Sequence, residues 1–191
     1  MLAALLLAAL DATTRDRIAR NQAQQLMATL QAVLPTDYDN EPHLDRAMIA
    51  VPDGPGGADA LPVYRARLGD EPAGLVLTAV APDGYVDAIR LLVGVGADDR
   101  VVGVRVIAHT ETPGLGDGID AARSDWILAF AGREAGAADP AWALRRDGGD
   151  FDQLSGATVT SRAVLNAVRR TLDYYRMNRE ALYALPSVDM D

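Results

Sequence analysis

Cysteine is absent from the 191 residues of this chain, and histidine occurs only as His43 and His109. The chain therefore supplies no disulfide, no thiolate nucleophile and no ordinary thiolate ligand for an iron–sulfur cluster. Two isolated histidines argue against a histidine-rich metal site and are predicted to lie at the surface or in loops. If the protein moves electrons, an organic cofactor must carry them.

Basic and aromatic residues are also scarce. Lys and Arg total 18 against 27 Asp and Glu, for a net charge of -9, which excludes the clustered positive charge of a typical DNA- or RNA-binding protein. Aromatic residues make up 5% of a chain that is 49% hydrophobic, so Ala, Val and Leu should build the core. The length fits one domain with a terminal appendage.

A long hydrophobic run is missing as well. The apolar start MLAALLLAAL (1–10) ends at Asp11, and ten helical residues at roughly 1.5 Å each cannot cross a hydrocarbon core roughly 30 Å thick. No basic residues precede the run and no clear cleavage site follows, which disfavours a signal peptide. The truncated end of a membrane helix and an amphipathic helix packed on the domain both remain open.

The order of elements predicts an α+β fold, because helices and strands are segregated along the chain. Helical spacing from Asp11 to Leu34, ended by Pro35, predicts an N-terminal helix within residues 1–35, as anchor or stalk. The rest, 36–191, is predicted to be one domain that starts with a loop and a short strand near 48–51. An antiparallel meander follows, with strands predicted at residues 61–68, 74–81, 88–96 and 101–110.

Three further elements are predicted after the meander. They are a helix at 123–130, an edge strand at 142–146 and a long C-terminal helix at 161–184, where apolar residues step by three and four. Either Thr160 or Ser161 is expected to be the N-cap of the last helix.

Standard catalytic and nucleotide motifs are not found. The chain has no P-loop, GVGADD (94–99) lacks the third glycine of a dinucleotide fingerprint, and no GxSxG surrounds Ser155. DGGDFD (147–152) has acidic residues but not the end of an EF-hand loop, and is predicted to be a solvated turn.

Two glycine-containing stretches are candidate ligand sites. HTETPGLGDG (109–118) is either a plain connecting loop or a segment whose backbone approaches a ligand closely. DFDQLSGATVTS (150–161) places Thr158 just before a predicted helix, where free N–H groups and the helix dipole favour an anion. The residues by themselves thus predict a turn suited to phosphate.

The second stretch resembles the flavinylation motif Asp-x-x-Ser/Thr-Gly-Ala-Thr. That motif occurs in the FMN-binding domains of two related proteins, the G subunit of the Rnf (also called Rsx) electron-transport complex and the C subunit of the sodium-translocating NADH:quinone reductase. Further stretches resemble the Rnf protein in the same order: APDGY (81–85), ETPGLGD (111–117), SDWILAFAG (124–132) and DGGDFDQ (147–153). The SDW and DGGDFDQ matches favour the Rnf protein over its relative.

The resemblance implies FMN attached through its phosphate to the hydroxyl of Thr158. A separate, magnesium-dependent flavin transferase would make this bond from FAD, with Asp152 in its recognition sequence. The glycine-rich loop would lie against the isoalloxazine. The cofactor-binding residues so implied are Ser155, Gly156, Ala157, Thr158 and Thr160, with Glu111, Thr112, Pro113, Gly114, Leu115 and Gly116 from the loop.

The resemblance further implies an electron-transfer subunit of a membrane-bound, ion-translocating ferredoxin:NAD oxidoreductase, with no substrate turnover of its own. Its partners would be the other Rnf subunits and the inner membrane, with the flavin domain on the periplasmic side. Members of this family have one N-terminal membrane helix. The chain differs from this pattern, because only ten apolar residues precede Asp11. The alternatives are a flavoprotein like the quinone-reductase relative, a stand-alone module that binds FMN noncovalently and a structural stalk.

Overall fold

Five antiparallel strands in sequential order form the sheet of this α+β protein. The computed structural model describes residues 24–50, 55–56, 59–135 and 140–188. All four predicted meander strands are present, and the short strand predicted near 48–51 lies slightly earlier. The strands are β1 (Arg46–Ile49), β2 (Leu61–Leu68), β3 (Glu71–Ala81), β4 (Ile89–Gly96) and β5 (Val101–Ala108).

Both faces of the sheet are buried. One row of side chains, including Leu77 and Val93, which are directly paired between β3 and β4, faces the main core. The alternate row, including Val76 and Leu92, belongs to a second apolar cluster on the other face. Burial on both sides explains why β3 and β4 are almost continuous apolar runs rather than alternating ones.

Two helices cover these faces. Residues 24–31 form α1, and Leu30, Val33 and Leu34 at its end fill the second cluster. The long helix α2 (Thr158–Ala184) packs its buried face on β3 and β4 in the main core. Its buried apolar residues recur at the helical spacing seen in the sequence, because one stripe of the helix faces the sheet.

Two predicted elements differ from the structure. The helix predicted at 123–130 is a shorter 3-10 helix, Trp126–Phe130. The edge strand predicted at 142–146 was wrong, since Leu144 forms only an isolated bridge to Phe151. The segment does not join the sheet because the ring of its Trp142 packs with those of Phe130 and Phe151 in the core.

The apolar N-terminal segment (1–10) and the predicted helix up to residue 23 lie outside the described residues. Among the residues that are described, no helix combines the length and the hydrophobicity needed to span a bilayer. The proposed division at residue 35 stays a prediction.

The C-terminal end of α2 is held by a buried arginine on β2. Arg65, only 1% exposed, donates to the carbonyl oxygens of Leu182, Tyr183 and Leu185, which lie at or just beyond the last turn. Its guanidinium also forms an ion pair with Asp45, with 2.6 Å between Nη2 and Oδ1. The ion pair offsets the cost of burying a charge, and the guanidinium satisfies carbonyls that a helix end leaves without partners.

This ion pair predicts acid sensitivity. Burial by itself would raise the pKa of Asp45, but hydrogen bonds from Arg67, Ser187 and Arg65 and the charge of Arg65 bring that pKa below its ordinary value. A carboxyl whose pKa is lower in the folded than in the unfolded chain stabilises the fold above the unfolded pKa, and this contribution is lost as pH falls through the folded pKa.

We therefore expect the urea midpoint of the wild type to fall as pH decreases from about 5, and that of Asp45→Asn to fall less steeply. Asp70→Asn, at an exposed turn between β2 and β3, is the matched control and should follow the wild type. Parallel pH profiles for Asp45→Asn and Asp70→Asn would contradict this role of the ion pair.

Candidate functional site

A cavity of about 420 Å³ lies where the glycine-rich loop meets the start of α2. The turn between β3 and β4 borders it, because the start of β4 pairs with the end of β5 and brings both connections to one end of the sheet. The volume is in the range of small-molecule sites. The lining residues are Tyr85, Glu111, Thr112, Leu115, Gly116, Gly156, Ala157, Thr158, Val159 and Thr160.

A buried carboxylate connects the segments around this cavity. Glu111 is 4% exposed. Its Oε2 accepts a hydrogen bond from the Thr160 hydroxyl at 2.5 Å, and its Oε1 accepts one from the backbone N–H of Val86 at 3.1 Å. One side chain therefore joins the loop after β5, the first turn of α2 and the turn between β3 and β4.

Hydrogen bonds within its own backbone fold the loop into a tight turn. The carbonyl oxygen of Thr112 accepts hydrogen bonds from the N–H groups of Leu115, Gly116 and Asp117, at 3.2, 3.0 and 3.3 Å. A Cβ at Gly116 would lie 2.8 Å from Oε2 of Glu111, so a larger residue would push the loop away from the carboxylate. Glycine at position 116 thus allows the backbone of the loop to lie close to the Glu111 carboxylate.

The helix start differs from the predicted one. Helix α2 begins at Thr158, and its N-cap position is occupied by Ala157, which offers no side-chain cap. The expected caps were wrong, because Thr160 donates to the Glu111 carboxylate and Ser161 lies inside the helix, with its hydroxyl donating to the carbonyl oxygen of Ala157 at 3.0 Å.

Thr158 lies at the lip of the cavity with its neighbouring N–H groups free for a ligand. The first residues of a helix have no intrahelical acceptors for their N–H groups, and no side chain in the described part of the chain caps them here. The Thr158 hydroxyl accepts a hydrogen bond from Nη1 of Arg146 at 3.4 Å. Because a guanidinium cannot take up a proton, that neighbour is not a general base for this hydroxyl.

The motif and the loop touch directly at a glycine. Gly156 has φ +76°, and a Cβ there would also lie 2.9 Å from Cδ2 of Leu115. Both the left-handed backbone and the close approach favour glycine at this position. The motif therefore adopts a conformation that brings Thr158 to the loop.

Most of the sequence-predicted site residues lie together. Eight of them line the cavity, while Pro113, Gly114 and Ser155 are exposed and outside the lining. Asp152 also lies outside it, and its carboxylate is 3.3 Å from Nε of Arg145. The residues that line the cavity are Glu111, Thr112, Leu115, Gly116, Gly156, Ala157, Thr158 and Thr160.

Sequence reasoning missed two lining residues, Tyr85 and Val159. Tyr85 is the last residue of the APDGY stretch, so the resemblance could have drawn attention to it, whereas nothing in the local pattern marks Val159. Both are exposed apolar side chains, at 69% and 48%. They add exposed hydrophobic side chains to the rim of the cavity.

The residues around the cavity are suited to binding a ligand. An apolar wall, one buried carboxylate and a helix start with free N–H groups suit a ligand that has an apolar part and a negatively charged group. Within the described part of the chain, no group of three or more His, Asp or Glu side chains could hold a metal ion.

Removal of the buried carboxylate should destabilise the fold. We expect Glu111→Ala to lower the free energy of unfolding by about 2 kcal/mol, because the buried hydroxyl of Thr160 and the partly buried N–H of Val86 lose their acceptor. Glu111→Gln keeps one acceptor oxygen and should cost about half as much. Urea unfolding of both, with the exposed Glu134→Ala as control, measures this, and equal losses for Glu111→Ala and Glu134→Ala would contradict it.

Comparison with known proteins points to one family. A family model described as an FMN-binding domain matches residues 84–173, which include the whole cavity lining. The chain is 48% identical to a Pseudomonas aeruginosa protein over 94% of this chain and 85% of the relative. It is 44% identical to an Aliivibrio fischeri protein over 92% and 84%.

Both relatives are named as the G subunit of an ion-translocating oxidoreductase complex, as is a Vibrio atlanticus protein that is 41% identical over 91% of this chain and 83% of the relative. Such identity over nearly the whole chain confirms the resemblance to the Rnf protein. The chain therefore belongs to the G-subunit family of ion-translocating oxidoreductase complexes and contains that family's FMN-binding domain.

Proposed function

We propose that this chain is an electron-transfer subunit of a membrane-bound ion-translocating oxidoreductase complex and carries FMN bound covalently through its phosphate to Thr158. The position of the Thr158 hydroxyl carries the proposal. It lies at the lip of a cavity of suitable size, in the first turn of a helix that lacks a side-chain cap. The names of the relatives and the FMN-binding domain support it.

The residues around the cavity fit the two chemically different parts of FMN. The free N–H groups at the start of α2 suit the phosphate. The apolar side chains of Tyr85, Leu115 and Val159 and the backbone of the loop 111–116 suit the flat ring system. When bound, FMN supplies reversible electron transfer in one- or two-electron steps, which no side chain of this chain provides.

The chain itself would hold the cofactor in position. The loop and the first turn of α2 form two fixed walls, because the carboxylate of Glu111 in the loop accepts a hydrogen bond from Thr160 in that turn. Its other hydrogen bond, from the N–H of Val86, holds the turn between β3 and β4. The exposed Tyr85 and Leu115 leave one side of the cavity open to solvent or to another protein of the complex. A covalent anchor at Thr158 would prevent loss of the cofactor while the ring remains chemically unmodified.

Attachment needs an external catalyst. Thr158 Oγ1 would bond to the phosphorus on the flavin side of FAD, the pyrophosphate P–O bond would break, and AMP would leave with that oxygen. The hydroxyl proton would have to pass to a base, and the hydrogen-bond partner seen here, Arg146, cannot accept it. A flavin transferase that supplies the base and a magnesium ion is consistent with this surrounding.

The remaining features of the proposal concern location. Residues 36–191 are assigned to the flavin domain and 1–35 to an N-terminal helix that joins it to the membrane complex. The flavin domain is placed on the periplasmic side of the inner membrane, with the other subunits of the complex as partners. The absence of cysteine is compatible with this compartment.

Mass spectrometry of the denatured chain tests the covalent bond. After coexpression with a flavin transferase we expect an added mass equal to FMN less one water in the wild type and none in Thr158→Val. Thr110→Val, the same change at an exposed threonine outside the cavity lining, should load like the wild type. Flavin that is lost on denaturation would instead support a noncovalent FMN-binding module, and an adduct retained in Thr158→Val would exclude this acceptor.

Asp152 is proposed as a recognition residue for the transferase. Its side chain is 71% exposed, and its carboxylate lies 3.3 Å from Nε of the exposed Arg145, so another protein can reach it. We expect Asp152→Ala to slow initial flavin loading about tenfold, the effect of losing one favourable charged contact in a protein complex. Unchanged thermal stability should accompany the slower loading, and wild-type loading in this variant would remove Asp152 from the recognition role.

A further inference from the structure

We propose that Arg146 binds the phosphate group of the attached flavin and neutralises its charge, an inference that rests on the proposed attachment at Thr158. Its guanidinium is already in contact with the hydroxyl that would become the ester oxygen, at 3.4 Å. Neither the sequence motifs nor the family resemblance assigned any role to this residue.

Charge pairing distinguishes Arg146 from the other arginines near the motif. Arg145 is paired with Asp152 at 3.3 Å, and Arg162 is paired with Asp147 at 2.8 Å. Within the described residues, no carboxylate lies within ion-pair distance of Arg146, since none of the ion pairs includes it. Among the side chains that the structure describes, none therefore neutralises its positive charge.

The surroundings of Arg146 fix its backbone. It lies in a 3-10 helix, Arg145–Asp147, that follows the buried Leu144. The N–H of Arg145 donates to the carbonyl oxygen of Phe151 at 2.8 Å, which ties this turn to the strand-like segment that leads into the motif. The guanidinium thus approaches Thr158 from a segment anchored in the aromatic core.

A phosphodiester at Thr158 would keep one negative charge at this place. The first turn of α2 contains no acidic residue that would repel it. A guanidinium can offer two parallel N–H donors to phosphate oxygens, whereas a lysine offers a single point charge. Arg146 and the free N–H groups of the helix start would then bind the phosphate from two sides.

The increase in melting temperature on attachment of the flavin provides the test. The melting temperatures of unloaded and loaded protein are compared for the wild type, Arg146→Gln, Arg146→Lys and the control Arg100→Gln. Arg100 is also exposed but pairs with Glu134, and it lies at the β4–β5 hairpin, at the other end of the sheet from the cavity. The ³¹P resonance of each loaded protein is recorded as a second readout.

We expect the gain in melting temperature on loading to be equal in the wild type and Arg100→Gln. In Arg146→Gln the gain should be smaller by about 2–4 °C, as for the loss of one exposed charge-assisted contact in a chain of this size. Arg146→Lys should be intermediate, and the ³¹P resonance should move only in the Arg146 variants. Failure of Arg146→Gln to load while the lysine variant loads would support the proposal in the same way.

An equal gain and an unchanged ³¹P resonance in Arg146→Gln would overturn the inference and leave the attachment at Thr158 intact. The absence of any covalent adduct in the wild type would overturn both the inference and the proposed function. Because Arg146 is exposed, its variants should melt like the wild type before loading, so that a loss of folding is recognised in the unloaded samples.

Discussion

The buried carboxylate of Glu111 is the interaction on which the candidate site depends. Three segments distant in sequence meet at its two oxygens: the turn before β4, the loop after β5 and the first turn of α2. Such a group is costly to bury unless its hydrogen-bonding capacity is used. Here that requirement holds the loop and the helix start at a set separation, and the cavity is the space that remains between them and the turn.

The second constraint is the length of α2. Its first turn borders the cavity, while its last carbonyls are held by Arg65 on β2. Between these ends the helix packs along the sheet, so its start cannot shift without disturbing the main core. A cofactor attached at Thr158 would thus be fixed to a helix that packs on the sheet in the main core.

Much of the fold could be predicted from the sequence because it follows from local patterns. Apolar runs separated by Asp- and Gly-containing turns located the meander, and helical spacing located α2. The helix start was misplaced by three residues, since hydroxyl side chains suggested caps where Thr160 is in fact needed by Glu111. The segment 142–146 was misread as a strand because its residue types alone cannot show that its aromatic residue packs with Phe130 and Phe151 rather than joining the sheet edge.

The sequence by itself determined the family, the motif that contains Thr158 and the glycine-rich loop, because each is a contiguous stretch whose residue types can be recognised without knowing their neighbours. Only the tertiary structure decided that the loop and the motif meet at one cavity, that Tyr85 and Val159 complete its rim and that Arg146 touches Thr158. These are contacts between separate elements of the fold. They depend on how the sheet, the 3-10 turns and α2 pack together, which no local pattern encodes.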